Sequence, residues 1–351
     1  MALKLYTNYR LGGIPKHYVS DEEDNMLIPD EVRKSVVFLL YVNKKQQLNL
    51  AGTGFFVSVQ PDEFDGRTFV YLITAKHVIV AVRQHSIDGN IIVRINDRNG
   101  GQQTIAVHES VWKEHPTDSS VDISVLNWAP KEDVFDYLTL PETMLATDEI
   151  IKRESIGLGD EVFITGLFVS HFGKARNIPI VRVGNIASMP EEKVDTSTFG
   201  SIEAYLIEAR SIGGLSGSPV FVNLSGIRGN QIRNNVLYLL GLIHGHWDTQ
   251  EKAIDGLKED NSGGNVNMGI AIVVPSTKIL EVINQPIFAE IRKNVMNDYK
   301  KAKMPVEDTP AQDSVAANEQ NLEGITKEEF EDALKKIARP LKKDDQVKKE
   351  T

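Results

Sequence analysis

The sequence predicts an all-β fold in two halves, and three observations point there. Between about residues 35 and 280 the apolar residues fall in runs of 5–10, rich in Val, Ile, Phe and Tyr. Branched and aromatic side chains of this kind suit a pleated, half-buried surface. Gly, Asp, Asn and Pro separate the runs, and no helical pattern alternates with them, which argues against a βαβ repeat. Two clusters of about six strands suit two packed barrels or a pair of sandwiches.

The first cluster holds SVVFLLYV (35–42), GTGFFVSV (52–59), FVYLIT (69–74), IIVRI (91–95) and DISVLNW (122–128). Asp65-Gly66, between the second and third runs, signals a hairpin. Residues 129–150 are polar and broken by two prolines, so the halves divide there. EVFITGLF (161–168), IPIVRVGNIA (178–187), AYLIEA (204–209), SPVFV (218–222), VLYLLGLI (236–243) and GIAIVV (269–274) form the second cluster. Ser276 then stands as the cap of a short helix with Ile279, Leu280, Val282 and Ile283 on one side. The expected organisation is an N-terminal extension (1–34), a first unit (35–130), a second unit (131–290) and a tail (291–351).

The tail is highly charged: the last 56 residues hold 11 Lys/Arg and 13 Asp/Glu. Residues 298–323 carry few large apolar side chains and read as a flexible linker. Thr326-Lys327-Glu328-Glu329 then resembles a capping box, followed by Phe330, Leu334, Ile337 and Leu341 at helical spacing. This amphipathic helix, 326–341, either docks on the core, recruits a regulatory protein partner, or stays solvated and marginal.

Composition narrows the function. Of 351 residues, 39 are Lys or Arg and 49 are Asp or Glu, giving a net charge of −10. An acidic surface repels phosphate, so no nucleic-acid partner is expected. The absence of cysteine excludes disulfides, thiolate zinc sites and a cysteine nucleophile. No apolar run approaches the roughly 20 residues a bilayer span needs, and the N-terminus lacks a secretory h-region. The expectation is a cytoplasmic protein without a membrane partner. His17, His85, His108, His115 and His171 are scattered, and no HExxH, phosphate-binding or dinucleotide motif appears. Neither a metal nor a cofactor is expected.

Three segments carry chemistry together. YLITAKHVIV (71–80) is an apolar run leading into His77, SSVDISVL (119–126) carries Asp122 at the start of a strand, and ARSIGGLSGSPVF (209–221) is a glycine-rich turn around Ser216. Serine is a poor nucleophile at neutral pH and needs a base beside it. Histidine suits that task, and a buried carboxylate fixes its tautomer and stabilises the imidazolium. Gly213, Gly214 and Gly217 let the backbone turn sharply, so that amide N–H groups can face a developing oxyanion. Each signal alone is weak: a lone histidine or a strand-leading aspartate is usually structural.

In order and spacing these segments resemble the chymotrypsin-like serine peptidases, in the branch of bacterial trypsin-like and glutamyl-endopeptidase-type enzymes. TAKHV (74–78) is similar to that family's TAAHC or TAxHV motif, VDISVL (121–126) to its DIAxL segment, and GLSGSP (214–219) to its G-x-S-G-G/S-P motif. The separations, 45 residues from His77 to Asp122 and 94 on to Ser216, are close to the family's. GTGFFVSV resembles its GxGFxV strand. The resemblance spans about residues 35–285.

It implies two six-stranded antiparallel β-barrels with a short C-terminal helix and a flexible tail. The first barrel would carry His77 and Asp122, the second Ser216. Ser216 would attack the peptide, His77 would act as general base and then acid, Asp122 would orient His77, and the Gly214 and Ser216 N–H groups would form the oxyanion hole. Arg210, His244 and His246 would line the substrate pocket, and a cation at Arg210 favours an acidic side chain before the scissile bond; the plainer alternative is an exposed Arg210 and a structural, hydrogen-bonded His244. The chain departs from the family at His244, which stands where the family has a serine, and at Lys76, read as an exposed lysine in place of a small residue. Protein or peptide is the implied substrate. The rival reading is a catalytically silent binding or scaffold module of the same fold whose tail helix recruits a partner. A third is an intracellular protease held latent until triggered.

Overall fold

The computed structural model describes residues 28–61, 68–196, 199–209, 214–228, 231–233, 236–249 and 266–303. The first half comprises helix α1 (Asp30–Lys34), strands β1 (Val36–Val42), β2 (Leu48–Val59) and β3 (Phe69–Thr74), helix α2 (Lys76–His85), and strands β4 (Asn90–Asn96), β5 (Gln102–His108), β6 (Lys113–Glu114), β7 (Ser124–Asn127) and β8 (Leu140–Pro141). These strands form one eight-stranded sheet in the order β5-β4-β1-β2-β3-β7-β6, with β8 pairing parallel to β2. This differs from the expected six-stranded barrel. QQTIAVH (102–108) joins the sheet although its polar residues conceal the strand, because only Val107 on it is buried. β8 also carries the first half past residue 130, where the boundary was expected.

The second half begins with α3 (Asp148–Glu154), capped by the Thr147 hydroxyl, which accepts the Ile150 N–H. It continues through β9 (Glu161–Gly166), β10 (Ile180–Ser188), β11 (Val194–Thr196), β12 (Gly200–Ile202), β13 (Tyr205–Glu208), β14 (Pro219–Asn223), β15 (Gly226–Arg228), β16 (Gln231–Arg233), β17 (Leu237–Thr249) and β18 (Val266–Pro275). Six of these close into an antiparallel barrel, β10-β13-β18-β17-β14-β9. All eleven runs read as strands from the sequence are strands here, with the ends shifted by a few residues. Asp65-Gly66 and the 326–341 helix lie outside the described residues.

The long apolar runs have a geometric reason. Strand side chains alternate between faces, and both faces of the barrel strands next to the first half are covered. Val162 and Ile164 on β9, Val220 and Val222 on β14, and Ala271 and Val273 on β18 fill the barrel interior. Their neighbours Phe163, Phe221, Ile272 and Val274 pack into the core shared with the N-terminal sheet. On β17 the alternation inverts at Gly241, opposite a register shift between Val220 and Phe221. Leu239 and Leu242 therefore both join the shared core. His244 follows Leu242 on the same face.

The halves are also tied by a buried arginine. Arg94 on β4 is 5% exposed. It donates to the carbonyls of Phe172, Gly173 and Lys174 at 3.4, 2.9 and 3.1 Å and to Asn177 Oδ1 at 2.9 Å. Asn177 Nδ2 returns a bond to the Arg94 carbonyl at 2.6 Å.

After β18 come α4 (Ser276–Ile283) and α5 (Pro286–Lys303). Ile279, Val282 and Ile283 are buried as their spacing predicts. Ser276 is not the cap: Pro275 holds that position, and the Ser276 hydroxyl donates to the Ala146 carbonyl at 3.2 Å. Residues 298–303, expected as linker, continue α5 instead. That helix is docked at its start, where Phe288 meets Tyr71 edge-on (5.3 Å between ring centroids) and Arg292 donates to the Tyr71 hydroxyl at 2.8 Å. Such contacts stabilise a helix whose sequence alone reads as polar. Among the described residues no helix is long and apolar enough to cross a membrane.

Candidate functional site

The site is assembled at the seam between the halves, and its first component is the start of α2. A helix leaves its first N–H groups without intrahelical partners, and the residue before this one, Ala75, has no side chain to accept them. The acceptor comes from another element: Asp122 Oδ1 takes the His77 backbone N–H at 2.8 Å. The other oxygen, Oδ2, lies 2.7 Å from His77 Nδ1. One carboxylate thus fixes both the backbone and the ring of His77. The imidazole remains 25% exposed while Asp122 is fully buried.

The segment before β7 is shaped to deliver that carboxylate. Asp118 Oδ1 accepts the Ser120 N–H and hydroxyl at 2.8 and 2.6 Å, folding residues 118–121 into a tight turn. Lys76 Nζ donates to the Ser119 carbonyl at 2.5 Å and sits 4.6 Å above the Phe199 ring. Lys76 is 7% exposed, which corrects its reading as a surface lysine. Its stem packs at the seam and its ammonium holds the turn that carries Asp122.

Burial alone pushes the Asp122 carboxyl up. The charge of His77 and the ring N–H groups of His244 and His77 outweigh it, holding the carboxyl below the ordinary carboxylate range. His244 has the surroundings of a structural histidine, not of an open pocket wall. It is 8% exposed, and its Nδ1 lies 2.5 Å from Asp122 Oδ2, the atom His77 also uses. Its neighbours are the acid, the His77 ring (5.4 Å between centroids) and Phe199 (5.9 Å).

His77, Asp122 and His244 are also three groups able to bind metal, with ligand atoms within 4.8 Å of one another. Two ligands on a tetrahedral zinc at 2.0–2.1 Å stand about 3.3 Å apart. The 2.7 and 2.5 Å contacts here are hydrogen-bond distances, shorter than that spacing.

The third component is the turn before β14. Ser216 is half-buried, and its carbonyl accepts the Thr53 N–H of β2 at 2.9 Å. Thr53 Oγ1 donates to the Gly214 carbonyl at 2.8 Å and accepts the Leu167 N–H at 2.9 Å, while the Thr53 carbonyl accepts the Thr74 hydroxyl at 2.7 Å. Thr53 therefore links β2, the end of β3 and the Ser216 turn. Gly217, at φ +80°, lies so close that a Cβ there would stand 2.3 Å from the Thr53 carbonyl and 2.4 Å from Thr74 Oγ1. These contacts bring the Ser216 turn against residues 74–75, immediately before His77. Gly214 has φ +98°. Among the described residues, neither the Gly214 nor the Ser216 N–H meets a protein acceptor. Donors left open in this way suit an anion.

His77 and Asp122 thus meet at this seam, and the turn of Gly214 and Ser216 lies against the residues that precede His77. Arg210 and Gly213 lie outside the described residues, as does the side chain of His246 on β17. Thr53 and Phe199 went unnoticed in the sequence. The GTGFF run gave the only signal for Thr53, a polar residue inside an apolar strand.

No protein-family model matches the chain, and no curated protein sequence matches it. Among solved structures the chain is similar to proteins of the trypsin-like serine protease fold. The MamO protease domain from Magnetospirillum magneticum shares 15% identity, covering 72% of this chain and 97% of that one, with a TM-score of 0.43. Deg5 shares 15% over 75% and 93% of the two chains, with a TM-score of 0.41. Rv3671c from M. tuberculosis, in an inactive form, shares 17% over 77% and 96%, with a TM-score of 0.39.

Proposed function

We propose that this chain is a serine endopeptidase with Ser216 as nucleophile. The observation that carries the reading is the double hold of Asp122 on His77, through backbone and ring, beside a Ser216 turn locked to Thr53. With Nδ1–H committed to Asp122, the His77 Nε2 lone pair is the base. Ser216 Oγ attacks the peptide carbonyl and passes its proton to Nε2. The tetrahedral oxyanion faces the Gly214 and Ser216 N–H groups. Collapse expels the amine, which takes the proton from His77 and leaves an acyl group on Ser216. Water, deprotonated by His77, then releases the acid and restores the hydroxyl. Asp122 stays ionised throughout, consistent with its lowered pKa.

A preference for Glu or Asp before the cleaved bond is part of the proposal and rests on Arg210 and on the resemblance. Incubation with a peptide library, beside the Ser216→Ala protein, tests both parts. Cleavage lost in Ser216→Ala supports the mechanism, and enrichment of acidic residues before the cut supports the pocket. Apolar or basic enrichment rejects the pocket alone. Activity that survives Ser216→Ala rejects the mechanism. A well-folded wild type that cleaves nothing favours the silent binding module.

A further inference from the structure

Two imidazoles meet one oxygen of Asp122, and the mechanism above uses only one of them. His77 Nδ1 and His244 Nδ1 lie 2.7 and 2.5 Å from Oδ2, while Oδ1 accepts the His77 backbone N–H. An ionised carboxylate only accepts hydrogen bonds, so both Nδ1 atoms carry their protons. His244 is therefore a donor, with its tautomer set by Asp122.

The backbone is built for this contact. On β17, Ile243 pairs with Val273 of β18 and Gly245 with Ile272, so His244 is the extra residue of a β-bulge, with no opposite number on β18. A bulge releases a side chain from the ladder's register and aims it independently. The groups facing the ring are Asp122 before β7, His77 on α2, and Phe199, which also lies under the Lys76 ammonium. A buried carboxylate with three donors on two oxygens is solvated by the protein and fixed in rotation.

We propose that His244 is a positioning residue for the triad: its Nδ1–H holds the Asp122 carboxylate in the orientation that His77 requires. This rests on the reading of His77 as the base. It also replaces the role of His244 in lining the substrate pocket.

The test compares wild type with His244→Asn and His244→Leu, both checked for folding by thermal unfolding. Asn keeps an N–H donor near the position of Nδ1, and Leu removes it. Loss of a hydrogen bond to a charged group corresponds to roughly a 10- to 100-fold change. His244→Leu should therefore lose about that factor in kcat at nearly unchanged KM, and His244→Asn should recover most of it. Proton NMR in water should show two low-field Nδ1–H resonances in wild type and one in His244→Asn. A single resonance in wild type, or an Asn variant as slow as the Leu variant, overturns the proposal. The resonance count needs no turnover. Failure of the hydrolytic reading, seen as activity surviving Ser216→Ala, is thus distinguishable from failure of this one.

Discussion

Replacing Gly217 by alanine probes the seam that holds the Ser216 turn, and a second glycine supplies the control. Gly217 and Gly159 have nearly the same φ, +80° and +83°, in the region that favours glycine. An alanine at either pays a similar strain for that conformation, about 1–2 kcal/mol. The surroundings differ: a Cβ at Gly159 meets nothing within 4 Å, whereas one at Gly217 lands 2.3 Å from the Thr53 carbonyl and 2.4 Å from Thr74 Oγ1. Relief needs a shift of well over half an ångström between β2 and the turn, an overpacking cost of about 1–3 kcal/mol. Gly159→Ala should therefore lose about 1–2 kcal/mol in urea unfolding followed by tryptophan fluorescence, and Gly217→Ala about 2–5 kcal/mol. Reaction of Ser216 with a fluorophosphonate should slow at least tenfold in Gly217→Ala and hold steady in Gly159→Ala. Equal stability losses, or unchanged labelling of Gly217→Ala, would refute the argument that this contact sets the turn.

Three further outcomes follow from the same contacts. Arg94→Met should lose about 2–4 kcal/mol by chemical denaturation, because it strands the buried Asn177 side-chain oxygen and the partly buried carbonyls that Arg94 holds in the 172–174 loop; Arg94→Lys should recover little, since an ammonium cannot span the same acceptors. Asp122→Asn should cut labelling by about 10³–10⁴-fold through the wrong His77 tautomer. Its stability should also lose an acid dependence: the lowered Asp122 pKa contributes stability that is present above the ordinary carboxylate range and disappears as pH falls through the folded value. Tyr205, pushed up to about 12 chiefly by burial and then by Asp148 and Glu203, works the other way. Its contribution is complete below pH 10 and lost as pH rises towards 12, about 2–3 kcal/mol in all, so Tyr205→Phe should flatten alkaline unfolding curves.

The strands were legible because their apolar runs are covered on both faces, as β9, β14 and β18 show. β5 was not, since its one buried residue leaves no pattern to read. Helix α2 hides behind KHVIVAV, whose β-branched residues mimic a strand; its start is stabilised by Asp122, 45 residues away, which no local rule detects. The pairing of the His77 and Asp122 segments was legible from their motifs. The roles of Lys76 and His244 were not, because each depends on an element distant in sequence: the 118–121 turn for Lys76, and the β17 bulge that brings His244 to Asp122. The seam-spanning bonds of Thr53 and Arg94 are invisible for the same reason.

The central claim is that Ser216 is an activated nucleophile. Its most direct test is the intact mass of the protein after brief exposure to a fluorophosphonate near neutral pH, beside the Ser216→Ala and His77→Ala proteins. The account predicts one phosphonyl adduct per chain, mapped to Ser216, absent in Ser216→Ala and nearly absent in His77→Ala. A folded wild-type protein that stays unmodified, or an adduct that persists in Ser216→Ala, would contradict it.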